Sequence, residues 1–213
     1  MQGLSRRDAS KLIALGLLSP LYLSADENVD IENPSANYEL TRYKDGSLEV
    51  ASKKDELRFR IGKNAFLLRQ NSKISVKTSG LLVKSMKLIS GGAMGVFAPG
   101  EKNIETKTFT AGIRGTGIYL EEKNDNAIYC CLCYGVGDFV GKDKNQIMHL
   151  NSIHHDKPVV IEASHAGSVK MFDDKTHNHD DDELRVLEAM CGREPPFEEW
   201  LKMQQFLNPK SVY

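Results

Sequence analysis

The stretch YCCLCYG (129–135) places Cys130, Cys131 and Cys133 within four positions, while the fourth cysteine, Cys191, stands apart. On an extended strand side chains alternate in direction, so Cys131 and Cys133 share one face, and Cys130, Leu132 and Tyr134 share the other. Two same-face sulfurs start roughly 6.5 to 7 Å apart at their Cα atoms, which suits convergence on a metal better than a direct S–S bond. A Cys131–Cys133 disulfide lies near the upper limit of bridgeable separation, and a Cys130–Cys131 disulfide would distort the intervening peptide. Three chemistries therefore stand side by side. They are a metal or cluster site, a disulfide, and free cysteines packed as small apolar residues in a β-core.

Histidines supply the complementary ligands. GKDKN (141–145) is a polar hairpin signal centred near Asp143. If strands 128–140 and 146–155 pair around it, Cys133 faces about Ile153 and Cys131 faces about His155, to within two residues either way. His154 and His155 point to opposite faces if extended, so one of them joins the sulfurs. His179, or His177, lies just ahead of a predicted helix that can dock over the same face. The candidate set is Cys131, Cys133, one of His154 or His155, and His179. Two thiolates and two imidazoles suit Zn²⁺ in a closed tetrahedral site. They also suit an iron–sulfur cluster of two irons with mixed Cys and His ligation, and soft sulfur admits copper. Single histidines such as His149 and His165 read as hydrogen-bonded residues, and HNHDDDE (177–183) also reads as a solvated acidic cap.

These residues need a scaffold, and the texture of the chain predicts one. From Leu57 on, LRFRIG, AFLLRQ, KISVKT, LLVKSMKLI, GVFAP, TFTAGIRGTGIYLE, AIYCCLCYGVGDFVG, QIMHLNSI, PVVIEAS and SVKMF follow one another, punctuated by Gly, Asn, Ser and Pro. That pattern predicts a mostly β domain of short strands at 55–172. Residues 26–54 read as a polar linker with one short strand near Leu48 to Val50. Residues 173–213 read as a C-terminal α-helical cap. Asp180 to Asp182 start its first helix, Leu184, Leu187 and Cys191 follow at helical spacing, and Gly192 with Pro195 and Pro196 stops it. A second short helix carries Phe197, Trp200, Leu201 and Phe206, an aromatic stripe suited to docking on the β-domain.

The N-terminus, GLSRRDASKLIALGLLSPLYLSADENVD, orders two arginines, an apolar run from Leu12 to Leu23 and small residues at Ser24 and Ala25. This is the order of an export signal over residues 1–25, and SRRDASKL resembles a twin-arginine signal with Ala9 at a position often aromatic or leucine. It predicts a periplasmic or otherwise exported protein, and a folded export route suits one that takes up its cofactor first. The chain of 213 residues has a net charge of -1, so no basic field exists to hold nucleic acid. No apolar run reaches the roughly 18 residues of a stable membrane span.

TFTAGIRGTGIYLEE (108–122) resembles the core of the FecR-type periplasmic domain. Thr108, Thr110, Ala111, Gly112, Ile113, Arg114, Gly115, Thr116, Gly117 and Tyr119 match its pattern, and Phe109 replaces the usual proline. CLCYG (131–135), His154-His155, HDDDEL (179–184) and GREPPF (192–197) resemble the pattern of an exported subset of that family. The resemblance implies a FecR-like β-domain in an exported, non-enzymatic binding or sensing module, acting on a protein partner or envelope component. A periplasmic redox carrier or thiol/disulfide sensor is the alternative. Founding FecR members carry a cytoplasmic segment that touches a sigma factor and then a membrane span, and neither is expected here. A metal-dependent enzyme finds no support in the motifs, since G-x-S-x-G, HExxH, a P-loop and a dinucleotide fingerprint are all absent.

Overall fold

A computed structural model describes residues 29–145, 147–164 and 167–207. The export-signal segment 1–25 lies outside the described residues. In chain order the strands are β1 (Asp30–Ile31), β2 (Tyr38–Arg42), β3 (Ser47–Ser52), β4 (Leu57–Ile61), β5 (Asn64–Leu68), β6 (Lys73–Ser79) and β7 (Leu82–Ser90). They continue with β8 (Gly92–Val96), β9 (Glu101–Glu105), β10 (Phe109–Asn124), β11 (Ala127–Gly141), β12 (Ile147–Ser152), β13 (Lys157–Ala163) and β14 (Val169–Asp173). Two helices follow, α1 (Asp181–Met190) and α2 (Phe197–Leu207).

The protein is mostly β with a small C-terminal helical cap. All 14 described strands belong to one sheet, in the order β1-β4-β5-β8-β10-β9-β7-β6-β3-β2, with β11 beside β10 and with β12, β13 and β14 reached through β11. A single core cluster takes side chains from strands at both ends of that path, including Leu48, Phe59, Val76, Ile104, Ile118 and Ile161. A flat sheet could not bring these residues together, so the sheet curls around them. Strands facing only this core alternate as the sequence predicts, and β4 (LRFRI) buries Leu57, Phe59 and Ile61 while its arginines face outward.

Four central strands are covered on both faces, and their sequences show it. β5 (NAFLL) and β8 (GAMGV) are buried at every position, as are residues 116–120 of β10 and the first eight residues of β11. Such strands read as unbroken apolar runs because neither face meets water. Their second face packs against Leu184, Leu187 and Phe197 of the cap.

The sheet begins earlier than the predicted boundary at 55. Within the supposed linker 26–54, β2 pairs with β3 from Tyr38↔Ser52 to Arg42↔Leu48, and β3 pairs with β6. Leu48 and Val50 are fully buried. The segment looks polar because β2 is an edge strand, where one face and one ladder edge meet solvent. Strand β9 (EKNIE), absent from the sequence reading, pairs parallel with β7 and antiparallel with β10 around the buried Ile104.

The central pair β10–β11 sets the position of the candidate site. The first part of β10 pairs with β9 and its later part with β8. In β11, residues 127–132 pair with β13 and residues 135–140 with β12. Both strands change outer partner at the same level, and there the β10–β11 register slips between Arg114 and Ile118. Gly115 sits at φ +57, a left-handed conformation that favours glycine. A Cβ on Gly117 would lie 2.5 Å from the Tyr134 ring. The Gly-Thr-Gly at residues 115–117 is thus the bend at which the sheet changes neighbours. Thr116 is buried at this bend, whereas Thr110 and Arg114 are exposed.

Candidate metal centre

Register slips turn the cysteine strand into a site. Gly117 lies opposite Tyr134 and Ile118 opposite Leu132, so Cys133 is the extra residue of a β-bulge. Cys131, Cys133 and Tyr134 consequently all face the cap, while Cys130 and Leu132 face the inner core. Simple alternation had placed Tyr134 with Cys130, and the bulge is the reason it does not hold. The Cys133 carbonyl faces the turn between β12 and β13. It accepts the backbone N–H of His155 at 2.8 Å and the Ser152 hydroxyl at 3.4 Å.

The hairpin centre holds to within one residue, since Val140 lies opposite Ile147 and Gly135 opposite Ser152. Pairing stops there, and Cys131 faces Pro158 of β13 rather than a residue of β12. Between the two strands, Asp156 accepts the backbone N–H groups of Ile153 and His154 and closes a tight turn. His155 adopts φ +51 in this turn. That left-handed conformation is uncommon for a residue with a Cβ, and it is held by surrounding bonds. It directs His155 to the sulfurs and leaves His154 outside.

His179 arrives from the cap side. Asn178 precedes it at φ +58, and Asp180 follows as the N-cap of α1, forming a capping box with Glu183. The His179 ring stacks on Tyr119 with centroids 4.6 Å apart. One donor atom from each of Cys131, Cys133, His155 and His179 lies within 4.8 Å of all the others. Cys131 Sγ is 3.3 Å from His155 Nδ1, which is 3.2 Å from His179 Nε2. Tetrahedral zinc with two sulfur and two nitrogen ligands separates its donors by about 3.3 to 3.8 Å, given bond lengths near 2.0 to 2.3 Å.

Outer bonds fix the protons. His179 Nδ1 lies 2.8 Å from the His177 carbonyl, and His155 Nε2 lies 3.2 Å from Asp181 Oδ1. Both partners only accept, so each outer nitrogen carries the proton. Both inner nitrogens then present lone pairs to each other and to Cys131. The pocket requires a positive charge at its centre, either a metal ion or an added proton. Cation-free, hydrogen bonding from Cys133 followed by His155 and His179 holds the Cys131 thiol down at about 4, against the cost of burial. Burial works against the charged form of His155, but the Cys131 thiolate and Asp181 prevail and raise its pKa. Burial, with the Cys131 charge, pushes Cys133 well up. Cation-free, the Cys131 thiolate favours the protonated form of His155, and burial favours the neutral thiol at Cys133.

His154 plays a different part. Its Nε2 bonds both oxygens of Asp181, at 2.8 and 3.0 Å, and its ring packs against Phe197 and Trp200 of α2. Asp181 therefore orients two histidines at once, the arrangement in which carboxylates fix metal-bound imidazoles. In the sequence Asp181 reads only as part of an acidic helix start. Its signal was the position two residues after His179. Arg69 was missed too. It forks onto Glu183 at 2.5 and 2.7 Å and also reaches Glu56 and the Asn178 carbonyl. His149 bonds Asp138 at 2.6 Å, away from the site, and His177 packs against Tyr129.

The GREPPF segment closes the far end of the cap. Gly192 takes φ +69 after the last turn of α1, and Arg193 Nε returns to the buried Glu188 carboxylate at 2.5 Å. Glu188 also accepts the Tyr134 hydroxyl, whose pKa is raised by burial and by that carboxylate.

No protein-family model matches the chain, and no curated protein matches it in sequence. Two crystal structures of proteins described as putative anti-sigma factors, both from Parabacteroides distasonis, resemble it in shape. The first has a TM-score of 0.49 at 9% identity and covers 61% of this chain and 61% of its own. The second has a TM-score of 0.36 at 9% identity and covers 66% of this chain and 57% of its own. The chain thus matches about six-tenths of the length of each, and neither likeness bears on its chemistry. No helix among the described residues is long and apolar enough to cross a membrane.

Proposed function

We propose that this chain is an exported, FecR-like binding or sensing module whose cap is held by one mononuclear metal ion. The ligands are Cys131, Cys133, His155 and His179, and the ion is zinc. The observation that carries this reading is the convergence of two inward lone pairs and two sulfurs within 4.8 Å. Two thiolates and two imidazoles at this spacing match the closed tetrahedral shell of structural zinc. A two-iron cluster would need its ligand pairs set apart by the width of the iron–sulfide core, which favours a single ion. Four protein donors leave no open position for substrate, which supports a binding role over a metalloenzyme. The N-terminal signal order and the FecR-like bend support export and a protein or envelope partner.

A second reading draws on the Cys131 thiolate beside Cys133, a pair suited to thiol/disulfide sensing in the metal-free form. One experiment separates the two. The full chain is expressed with its own signal, recovered without chelator or affinity nickel, and analysed for metals and absorption. About one colourless zinc per chain, lost in both Cys131→Ser and Cys133→Ser, is expected. Iron with visible charge-transfer bands would replace zinc by a cluster. Metal-free protein with a Cys131–Cys133 disulfide would favour the sensor.

A further inference from the structure

The ligands come from two bodies, and this division points to regulation of the site. Cys131 and Cys133 lie on β11, and His155 lies in the turn between β12 and β13. His179 alone comes from the cap, one residue before the N-cap of α1. We propose that the metal is a latch, and that its occupancy decides whether the cap is docked on the sheet. The proposal rests on the metal reading above and adds to it that the sheet stays folded when the metal leaves.

The cap is attached in a way that allows this. It follows β14, and neither helix contributes a strand or pairs with a ladder, so the cap can leave without breaking the sheet. Its buried apolar anchors are Leu184, Leu187 and Phe197. The second half of α2 holds little, since Met203, Phe206 and Leu207 are 58%, 86% and 61% exposed. The sheet's main core lies on the opposite face, inside the curl, and takes no residue from the cap.

The site supplies the switch. A cation held by Cys131, Cys133, His155 and His179 would tie the cap segment to the sheet. Without one, His155 Nδ1 and His179 Nε2, 3.2 Å apart, can share at most a proton across the sheet–cap boundary, a weaker tie than metal bonds to both. Asp181, on the first turn of α1, depends on the same alignment, because its contact to His155 requires that ring to hold its place. His154–Asp181, Arg69–Glu183, Tyr134–Glu188, Asn178–Glu121 and the Arg193 bond to the Lys63 carbonyl remain as polar contacts, and all of them lie at the partly hydrated rim or need the cap already seated. Undocking would uncover Leu67, Met94, Tyr119 and Tyr129, which are fully buried in the docked form.

Hydrogen exchange with mass spectrometry tests this on the full chain, zinc-loaded and chelator-treated, with metal content measured on the same samples. Zinc removal should speed exchange in the cap helices by about tenfold or more, leave β3, β6 and β7 unchanged, and raise binding of a hydrophobic dye. His179→Ala, which removes the proposed ligand from the cap together with its stacking on Tyr119 of β10, should show the same loose cap. Equal cap protection with and without one bound zinc overturns the latch and leaves the metal reading intact. Loss of protection across the whole sheet on chelation also overturns it, making the ion a staple of the entire fold. Absence of bound metal overturns both.

Discussion

The core inside the curl and the core beneath the cap share strands but are built on different chemistry. Inside, the contacts are almost wholly apolar, with Phe59 stacked on Phe66 at 5.1 Å, Phe97 edge-on to Phe66 at 5.6 Å, and Phe109 against Phe139 at 5.5 Å. Beneath the cap, apolar residues share the space with cysteines, tyrosines, His179 and a buried glutamate. Apolar packing is non-directional and gives stability, whereas a buried polar network must be satisfied group by group and so specifies one arrangement. The difference teaches that the curl is the scaffold and that the cap interface, where every polar atom needs a named partner, is where chemistry is placed.

Substitutions can break that comparison. Phe66→Ala, in the inner core, should cost about 3 to 5 kcal/mol in denaturant unfolding, with sheet and cap lost together. Leu187→Ala removes a fully buried cap anchor and should cost at most about 2 to 5 kcal/mol, felt as faster exchange in the cap and weaker zinc binding. A shifted sheet midpoint in Leu187→Ala, with zinc affinity unchanged, would show that the two regions are one.

Acidity sharpens the contrast, because the groups that titrate lie at the cap. Zinc must displace the proton that burial keeps on Cys133, and also one from His155 below its raised pKa. Protons therefore compete with the metal. Apparent affinity should fall with falling pH, about tenfold per pH unit where Cys133 alone carries a displaced proton and about a hundredfold per unit where His155 carries one too. Competition against a chromophoric chelator measures the slope, and an affinity independent of pH would contradict the protonation scheme. Asp180→Ala is the mildest change. It removes the capping-box acceptor of α1 and should cost about 1 kcal/mol, confined to the cap.

Much of this architecture was legible in the sequence where one physical rule dominates. Alternation marks β4 and β6, and the acidic start at Asp180 to Asp182 with Gly192 and two prolines bounds α1. The unbroken runs of β5, β8 and β11 carried more than their strand signal, since they also marked where a second layer covers the sheet. Edge strand β2 was read as linker because edge residues resemble loop residues. β9 was missed because Ile104 is its one aliphatic residue among charged and polar neighbours. At the site, residue types and the hairpin turn bring Cys131, Cys133, one of His154 or His155, and His179 into one set, and the structure groups His155 with the sulfurs. The bulge at Cys133, the left-handed turn at His155 and the double role of Asp181 were not visible, because each depends on contacts between distant segments.

The most direct test of the metal site is X-ray absorption spectroscopy at the edge of the metal that copurifies with the full chain. The account predicts a zinc shell of two sulfurs near about 2.3 Å and two nitrogens near about 2.0 to 2.1 Å, with no metal neighbour. A shell of oxygens, or a short metal–metal vector, would contradict it.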